Sequence, residues 1–226
     1  MKITLLGYGK MGRIIERLAT EDGHEFVLRV DEGNRARITP ADLRTSDVAI
    51  DFSRPDAAIA NIDLALESGI PIVVGTTGWH TQLDEVRQRV DHHRGTLFYA
   101  TNFSIGVNLF FATANYLAGR MKEEDYTPEI EETHHTEKLD APSGTAITLE
   151  EGVRKSLGSE PIDITSHRKD KVPGTHVLRF SSAIDTIELT HTAHSREGFA
   201  RGAITAAEWV QDRSGVFTMT DMLSPA

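Results

Sequence analysis

Apolar residues follow two patterns along the first hundred positions: short consecutive runs, and recurrence at helical spacing. Short runs of consecutive apolar residues, typical of buried parallel strands, occupy positions 2–6, 25–30, 48–52, 70–74 and 97–100. Apolar residues recur at helical spacing between these runs, over positions 11–21, 55–66 and 83–90. Strands that alternate with helices predict a mostly parallel sheet that is covered on both faces.

The pattern changes after Asn102, where we expect a domain boundary. Helices are predicted over residues 105–121, 145–157 and 199–210, a strand over residues 126–134, and an antiparallel pair over residues 177–182 and 186–191. The expected fold is therefore α/β: an N-terminal domain with a mostly parallel sheet and an α+β C-terminal domain with a mixed or antiparallel sheet. The predicted domains are residues 1–102 with 203–226, and residues 103–202.

Composition excludes several classes of protein. The chain has 226 residues, of which 39% are apolar and 26% are charged, with a formal net charge of -10 and no cysteine. Disulfides and thiolate chemistry are therefore impossible, and an acidic surface argues against general nucleic-acid binding. No apolar stretch reaches the roughly 20 residues of a membrane span, so we expect no membrane partner and a cytoplasmic location.

A glycine motif follows the first predicted strand. Gly7, Gly9 and Gly12 have the Gly-x-Gly-x-x-Gly spacing of dinucleotide-binding loops, in which the glycines allow a tight turn, close approach to a pyrophosphate and helix packing. Asp31 ends the second predicted strand, where a carboxylate can bind ribose hydroxyls and repel a 2′-phosphate. Arg35 and Arg37 lie close enough to soften that preference. We therefore expect a Rossmann-like N-terminal dinucleotide-binding domain. The alternative is a strand–turn–helix unit without a ligand.

Two later loops also follow predicted strands. They are Gly75-Thr76-Thr77-Gly78 and Ala100-Thr101-Asn102-Phe103. Loops at the carboxyl ends of strands line the ligand crevice of an open α/β sheet. We expect these loops to hold a nicotinamide ring through backbone polar groups and one aromatic contact, although each of them by itself is also compatible with an ordinary turn.

The segment from His134 to Thr145 combines proton donors, a cation and a helix start. His134 and His135 end a predicted strand, and a histidine exchanges protons near neutral pH. Lys138 follows three residues later and can pair with a carboxylate or deliver a proton. Gly144 and Thr145 open a predicted helix whose first N–H groups can bind an anion. Together these residues predict a site for a small dicarboxylate.

A metal site is the alternative interpretation of the histidines. His191 and His194, with His134 and His135, would supply four imidazoles. The sequence has no His-Glu-x-x-His motif, and we interpret the acidic side chains of the strand, Glu132 among them, as strand faces or a polar rim. We therefore expect no metal. His191, Ser195 and Arg196 are assigned to support of the site or to an interface.

The long segment from Glu131 to Ala146, EETHHTEKLDAPSGTA, resembles the signature of the dihydrodipicolinate reductase family, and the likeness extends over nearly the whole chain. Other landmarks of that family occur in order: the glycine motif, Asp51-Phe52-Ser53, Gly75-Thr76-Thr77-Gly78, Asn102-Phe103-Ser104, and the run from Arg196 to Ala203. The resemblance implies NAD(P)H-dependent reduction of 4-hydroxy-tetrahydrodipicolinate in diaminopimelate and lysine biosynthesis. It also implies a homotetramer.

Residue roles follow from the resemblance position by position. His134 is expected to donate or accept the proton and Lys138 to be the second proton donor, while His135, Gly144 and Thr145 bind substrate. The cofactor would contact the glycine loop, the ribose-binding acid and the two later loops: Gly7, Tyr8, Gly9, Lys10, Met11, Gly12, Asp31, Gly75, Thr76, Thr77, Ala100, Thr101, Asn102 and Phe103.

The chain departs from the family pattern beside the adenosine site. Residues 31–47 form a shorter stretch than the family's usual form, so that a strand and a helix are expected to be missing there. Glu32 stands where the family often has a basic residue, which favours NADH over NADPH. The rival interpretations are a metal-dependent hydrolase and a nucleotide-sensing or oligomerising protein without catalysis. Neither rival accounts for the ordered landmarks.

Overall fold

The computed structural model describes residues 1–224 as two compact units. One unit comprises residues 1–105 and the chain from Glu197 onward, and the other is Gly106–Arg196. The strands are β1 (Lys2–Leu6), β2 (Glu25–Val30), β3 (Val48–Asp51), β4 (Ile72–Val74), β5 (Thr96–Tyr99), β6 (Thr127–His134), β7 (Ile164–Arg168), β8 (Gly174–Ser181), β9 (Thr186–Ala193) and β10 (Gly215–Phe217). The helices are α1 (Lys10–Glu21), α2 (Pro40–Leu43), α3 (Pro55–Ser68), α4 (Leu83–His93), α5 (Ile105–Met121), α6 (Gly144–Leu157), α7 (Glu197–Trp209) and α8 (Met219–Leu223).

The first unit is a Rossmann-like layered fold. Its sheet has the order β10-β5-β4-β3-β1-β2, and every pair of neighbours is parallel. One face buries residues of α1 and α7, including Ile15 and Ala203, and the other buries residues of α3 and α4, including Ile62 and Val86. The parallel sheet with helices on both faces confirms the predicted fold class. It also explains the runs of consecutive apolar residues, because a strand that is covered on both faces is almost wholly apolar.

The C-terminal part of the first unit holds two elements that the apolar pattern does not reveal. Strand β10 is three residues long and pairs with β5, and α8 follows it. Because the units divide at residues 105/106 and 196/197, the whole of α7 lies in the first unit, whereas the predicted boundary at 202/203 cuts this helix. Residues 225 and 226 of the predicted segment lie outside the described residues.

The stretch between β2 and β3 is short but not wholly irregular. It contains a 3₁₀ turn at Arg35–Arg37 and the one-turn helix α2. Pro40 opens α2, and Thr39 and Asp42 cap it reciprocally through side chain and backbone. Strand β2 is the edge of the sheet, so the chain passes directly from this edge to the interior strand β3.

The second unit is a mixed four-stranded sheet of order β7-β6-β8-β9. Strand β6 runs parallel to β7 and antiparallel to β8, and β8 is antiparallel to β9, as the sequence predicts for the last pair. Helices α5 and α6 cover one face, where Phe110 and Leu149 pack with Ile130 and Leu178. Strand β7 was not predicted. Within residues 1–224, no helix combines the length and apolarity that crossing a membrane requires.

Candidate active site

The glycine motif forms a cradle between β1 and α1. Gly7 has a φ of 102°, and a Cβ there would lie 2.3 Å from the carbonyl oxygen of Phe52. A Cβ on Gly12 would lie 2.4 Å from the carbonyl oxygen of Gly7, so only glycine allows α1 to pack this closely on the loop. A Cβ on Gly9 would meet nothing within 4 Å. The space beside Gly9, at the start of α1, is therefore open to an anion.

This cradle opens into a cleft of about 530 Å³ within the first unit. The cleft is lined by Gly7, Tyr8, Gly9, Val30, Asp31, Glu32, Gly33, Arg35, Phe52, Ser53, Arg54, Ala57 and Asn61. Lys10, which is exposed, and Met11, which packs on the core, belong to α1 beside this cradle. A cleft of this size and polarity at the carboxyl edge of a parallel sheet fits part of a dinucleotide.

Asp31 is exposed at the end of β2, where the sequence predicts a ribose ligand. Its Oδ1 accepts N–H hydrogen bonds from Gly33 at 2.8 Å and Asn34 at 3.2 Å, so this side chain also shapes its own turn. The nearby Arg54 pairs with Glu32 and, at 3.0 Å, with Asp56. Arg35 instead donates to the Asn61 side chain at 2.6 Å and to a backbone carbonyl.

A buried carboxyl group joins the loop after β3 to the loop after β4. Asp51 ends β3, and its Oδ1 accepts the Ser53 N–H at 2.8 Å and lies 3.3 Å from the Thr76 hydroxyl. Burial raises the pKa of Asp51 to about 6 against the hydrogen bonds from Ser53 and Thr76, which lower it. The Thr76 hydroxyl is therefore engaged in holding the loops together. Contact with a cofactor at this position would be left to the backbone.

The aromatic residue of the third loop is buried in the core. Phe103 is 2% exposed, and its ring lies 5.8 Å from the rings of both Phe52 and Phe98. The expected aromatic contact with a nicotinamide ring therefore does not fit Phe103, although its backbone remains a candidate.

The other predicted residues of the two later loops differ in exposure. Thr77 and Thr101 are exposed, Ala100 is 8% exposed, and Gly75 lies against Phe52. The Asn102 side chain accepts a hydrogen bond from the Ser104 N–H.

In the second unit, His134 lies in a buried polar cluster. Its Nδ1 is 2.5 Å from Oε2 of Glu132, two residues earlier on β6. The other oxygen of Glu132 is 3.0 Å from the Arg168 guanidinium and 3.2 Å from the Ser143 N–H. The His176 ring lies at 5.1 Å from the His134 ring, and its Nε2 is 3.3 Å from the Ser143 hydroxyl. The interpretation of Glu132 as a strand face or polar rim was therefore wrong.

The cluster sets the charge of its members in different directions. Burial raises the pKa of Glu132, but the hydrogen bonds from Ser143 and Arg168 and the nearby His134 outweigh it and lower this pKa to about 2. Burial lowers the pKa of His134, and the charges of Lys138 and Arg168 lower it further. Glu132 raises this pKa but does not cancel the other effects, so the net pKa of His134 is below its ordinary value. Burial and the nearby His134 lower the pKa of His176 to about 4. The carboxylate is therefore ionised and His176 neutral at pH 7.

Lys138 lies in the loop after β6 and pairs with Asp140 at 2.9 Å. Hydrogen bonding to Lys138 lowers the pKa of Asp140, so this carboxylate is ionised beside the ammonium group. Arg168 fixes the same loop because it donates to the backbone carbonyls of Lys138, at 3.2 Å, and Asp140. One arginine therefore connects Glu132 with the loop that carries Lys138.

The start of α6 provides the predicted anion-binding backbone. Ser143 is its N-cap and accepts the Ala146 N–H at 3.2 Å, while the Ile147 N–H bonds to the Ser143 carbonyl at 3.0 Å. The N–H groups of Gly144 and Thr145 are the first two of the helix and have no intrahelical acceptor. A Cβ on Gly144 would meet nothing within 4 Å, so the backbone there is open. His135 is half-buried one residue after β6.

The structure separates the histidines of the metal alternative. Among the described residues, the group that could hold a metal ion is Glu132, His134 and His176, with ligand atoms within 4.8 Å of one another. Arg168 already compensates the carboxylate there, which weakens the electrostatic case for a cation. His191 lies opposite His176 on β9 and contacts Phe110, and His194 is exposed. The expectation that no metal is bound remains a prediction.

Sequence reasoning did not identify Glu132, Arg168 or His176 as parts of the cluster. His176 alternates with apolar residues that face the core of β8, and this inward position was the available signal. Arg168 lies on the unpredicted strand β7, so no signal marked it. The predicted His134, Lys138, Gly144 and Thr145 all belong to the end of β6, the loop after it and the start of α6.

The glycine cradle at the edge of a parallel sheet places the chain among pyridine-nucleotide-dependent oxidoreductases. Residues 1–103 match the model "Dihydrodipicolinate reductase, N-terminus", and residues 106–223 match "Dihydrodipicolinate reductase, C-terminus". The chain therefore belongs to the dihydrodipicolinate reductase family, which confirms the resemblance found in the sequence.

Similar proteins agree over the full length. The 4-hydroxy-tetrahydrodipicolinate reductase of Christiangramia forsetii is 44% identical over 238 residues, covering 99% of this chain and 98% of that protein. The enzyme of the same name from Alkaliphilus metalliredigens is 33% identical, with 99% of each chain covered. The structure of dipicolinate-bound dihydrodipicolinate reductase from Paenisporosarcina sp. TG-14 has a TM-score of 0.86 over 99% of each chain, at 21% identity. This last comparison supports the fold.

Proposed function

We propose that this chain carries out its family's reaction, the NAD(P)H-dependent reduction of 4-hydroxy-tetrahydrodipicolinate, with His134 and Lys138 as the catalytic residues. The observation that carries the proposal is the grouping at the end of β6 and the start of α6. A buried imidazole, an ammonium group and two open backbone N–H groups belong to one short segment of the second unit. Such groups suit a substrate with two carboxylates and a basic ring nitrogen.

The first unit is proposed to hold the cofactor. The open space at Gly9 fits a pyrophosphate, since a side chain there would occupy the position next to the start of α1. When bound, the nicotinamide supplies the hydride. We propose that NADH is preferred to NADPH, because Asp31 and Glu32 put two carboxylates at the cleft and Arg54 is already paired with acidic side chains.

The second unit is proposed to bind the substrate and move the proton. The N–H groups of Gly144 and Thr145 would hold one carboxylate, and His135 would add a further contact. Once the hydroxyl group has left the ring as water and hydride has been added, Lys138 and protonated His134 would stabilise the resulting anion and would deliver a proton to it. General acid catalysis of this kind contributes roughly 10²- to 10⁴-fold in rate.

Assembly and location belong to the same proposal. The face of the second sheet opposite α5 and α6 carries polar residues such as Thr133, Thr175 and Arg179, which are half-buried or exposed in the single chain. This face, which α5 and α6 leave uncovered, can pack against a second subunit. The resemblance to the family favours a homotetramer. A biosynthetic enzyme of small metabolites would act in the cytoplasm.

A direct assay tests the catalytic residues. His134→Ala and Lys138→Ala should each lower kcat by roughly 10²-fold or more while NADH still binds, because the cofactor cleft belongs to the other unit. The assay follows the loss of nicotinamide absorbance with enzymatically generated substrate. Lys155→Ala, an exposed lysine of α6, is the matched control. Near-normal turnover in either test variant would remove that residue from the mechanism.

A further inference from the structure

Glu132 is a fully buried carboxylate with a partner near each oxygen: Oε1 accepts a hydrogen bond, whereas Oε2 contacts the His134 ring at ion-pair distance, outside hydrogen-bond alignment. Its side chain has 0% exposure, a position that costs several kcal/mol for a charge without partners. Oε1 is 3.0 Å from the Arg168 guanidinium and 3.2 Å from the Ser143 N–H, whereas Oε2 is 2.5 Å from Nδ1 of His134. The neighbouring Glu131 points to the other face of the sheet, where it pairs with Arg179 at 3.0 Å. The contact with His134 is therefore specific to Glu132.

An ionised carboxylate beside one ring nitrogen determines the tautomer of a neutral histidine. At 2.5 Å the lone pairs of a carboxylate oxygen and an unprotonated ring nitrogen would repel each other, so Nδ1 of His134 must carry the proton. The other nitrogen, Nε2, is then the basic atom. Gly174 lies beside it, since a Cβ at this glycine would be 2.9 Å from Nε2. Any side chain at position 174 would crowd Nε2, so glycine leaves room for this edge of the ring.

We propose that Glu132 is a positioning residue for His134: its carboxylate holds Nδ1 protonated, aims Nε2 past Gly174, and stabilises the imidazolium when Nε2 takes up a proton. This inference rests on the proposed catalytic role of His134. Arg168 and the Ser143 N–H hold the carboxylate in turn, and they connect it to the Lys138 loop and to the start of α6. The whole proton-handling segment is thus organised around one buried anion.

The charges around His134 define what removal of the carboxylate should do. Glu132 on β6 favours the imidazolium, whereas Lys138 in the following loop, Arg168 on β7 and His176 on β8 are cationic or neutral neighbours that do not. Glu132→Gln removes the single favourable charge in this set and offers an amide N–H₂ to Nδ1. The variant should therefore favour the tautomer with hydrogen on Nε2 and lower the pKa of His134.

The experiment compares Glu132→Gln with Glu151→Gln, the same change at an exposed position of α6. We expect Glu132→Gln to lower kcat roughly 10- to 100-fold with NADH affinity unchanged, and to move the alkaline limb of the pH–rate profile to lower pH. A residue that only stabilised the fold would not move that limb. Turnover and a pH profile equal to those of Glu151→Gln would overturn the inference.

A second measurement does not depend on how the variant folds. In the wild-type protein, ¹⁵N NMR of neutral His134 should show hydrogen on Nδ1, and hydrogen on Nε2 would refute the proposed role. Failure of the proposed function is distinguishable, because the wild-type chain would then show no turnover, whereas failure of the His134 assignment would leave His134→Ala with normal turnover. If His134→Ala is impaired and Glu132→Gln behaves as the control, only the positioning role is lost. Adding Glu132→Gln to His134→Ala should cause no further loss in kcat.

Discussion

At the scale of single residues, burial and neighbouring groups shift the pKa values of several ionisable side chains. Asp51, Glu132 and His176 are all buried, yet their pKa values move in different ways, to about 6, about 2 and about 4. The difference follows from their partners. Glu132 meets a guanidinium, whereas Asp51 receives neutral donors that offset only part of the cost of burial.

Asp51 gives a pH-dependent prediction about stability. Its folded-state pKa of about 6 lies above the ordinary 3.8, so the folded state binds the proton more tightly and loses stability as pH rises from about 4 through about 6. Asp51→Asn cannot ionise. The free energy of unfolding of this variant should therefore rise relative to wild type across that window, by on the order of 3 kcal/mol.

Urea denaturation at several pH values measures this difference directly. Asp91→Asn, at an exposed position of α4, is the control for the same change outside the core. A difference between Asp51→Asn and wild type that stays constant over the same range would contradict the raised pKa.

Asp31 gives a prediction about cofactor choice. Asp31→Ala should weaken NADH by roughly 10-fold or more and NADPH much less, because in the proposed role the carboxylate would bind ribose hydroxyls and would repel a 2′-phosphate. Fluorescence titration with each cofactor measures both dissociation constants. Asp31→Asn keeps an acceptor for the Gly33 N–H and separates loss of charge from loss of the turn. Equal weakening of both cofactors by Asp31→Ala would contradict the ribose assignment.

At the scale of elements, glycine ends helices where the backbone turns left-handed. Gly69 follows α3 with a φ of 73°, and its N–H bonds back to the Leu66 carbonyl at 3.0 Å. Gly119 is an exposed helical residue of α5 without a positive φ. A Cβ at either position would meet nothing within 4 Å, so the two sites differ in backbone conformation rather than in space.

This pair predicts opposite effects of one substitution. Gly69→Ala should lower the free energy of unfolding by about 1 kcal/mol, because an L-residue is strained in the left-handed region. Gly119→Ala should raise it by up to about 1 kcal/mol, because alanine loses less backbone entropy in a helix. Thermal and chemical denaturation of both variants tests the prediction. The same sign for both would show that backbone conformation does not determine the outcome.

At the scale of the whole molecule, the first unit is made from two separated stretches of chain. Helix α7 contributes Ala203, Ile204 and Ala207 to the core that also contains Ile15 and Leu18 of α1. Strand β10 adds an edge to the same sheet through its pairing with β5. The first unit is therefore complete only when the chain from Glu197 onward has joined residues 1–105.

This division predicts the result of truncation. A chain ending at Arg196 should lose NADH binding, because the apolar face that α7 covers would be exposed and the first core would be incomplete. A chain in which a flexible linker replaces Gly106–Arg196 should keep NADH binding and lose reductase activity. Cofactor titration and limited proteolysis measure both outcomes. Retained NADH affinity in the chain that ends at Arg196 would contradict the role of α7.

The sequence by itself determined the features that depend on local chemistry. The glycine spacing at Gly7, Gly9 and Gly12, the start of α3 at Pro55 and the N-cap at Ser143 are short-range signals, and the alternation of strands and helices followed from apolar spacing. The segment from His134 to Thr145 was recognisable because its histidines, lysine and helix start are contiguous in the chain.

Only the tertiary structure decided which distant residues complete the cluster around His134. Arg168 lies 36 positions after Glu132 and reaches it because β7 pairs in parallel with β6. The residues adjacent to each of them in the sequence give no signal of that pairing. The short strand β10 likewise became a strand by joining the edge of an existing sheet. Burial and pairing depend on contacts between segments that are distant in the sequence. From the sequence alone, a carboxylate such as Glu132 is therefore predicted to lie on the surface, and only the fold shows the partners that allow its burial.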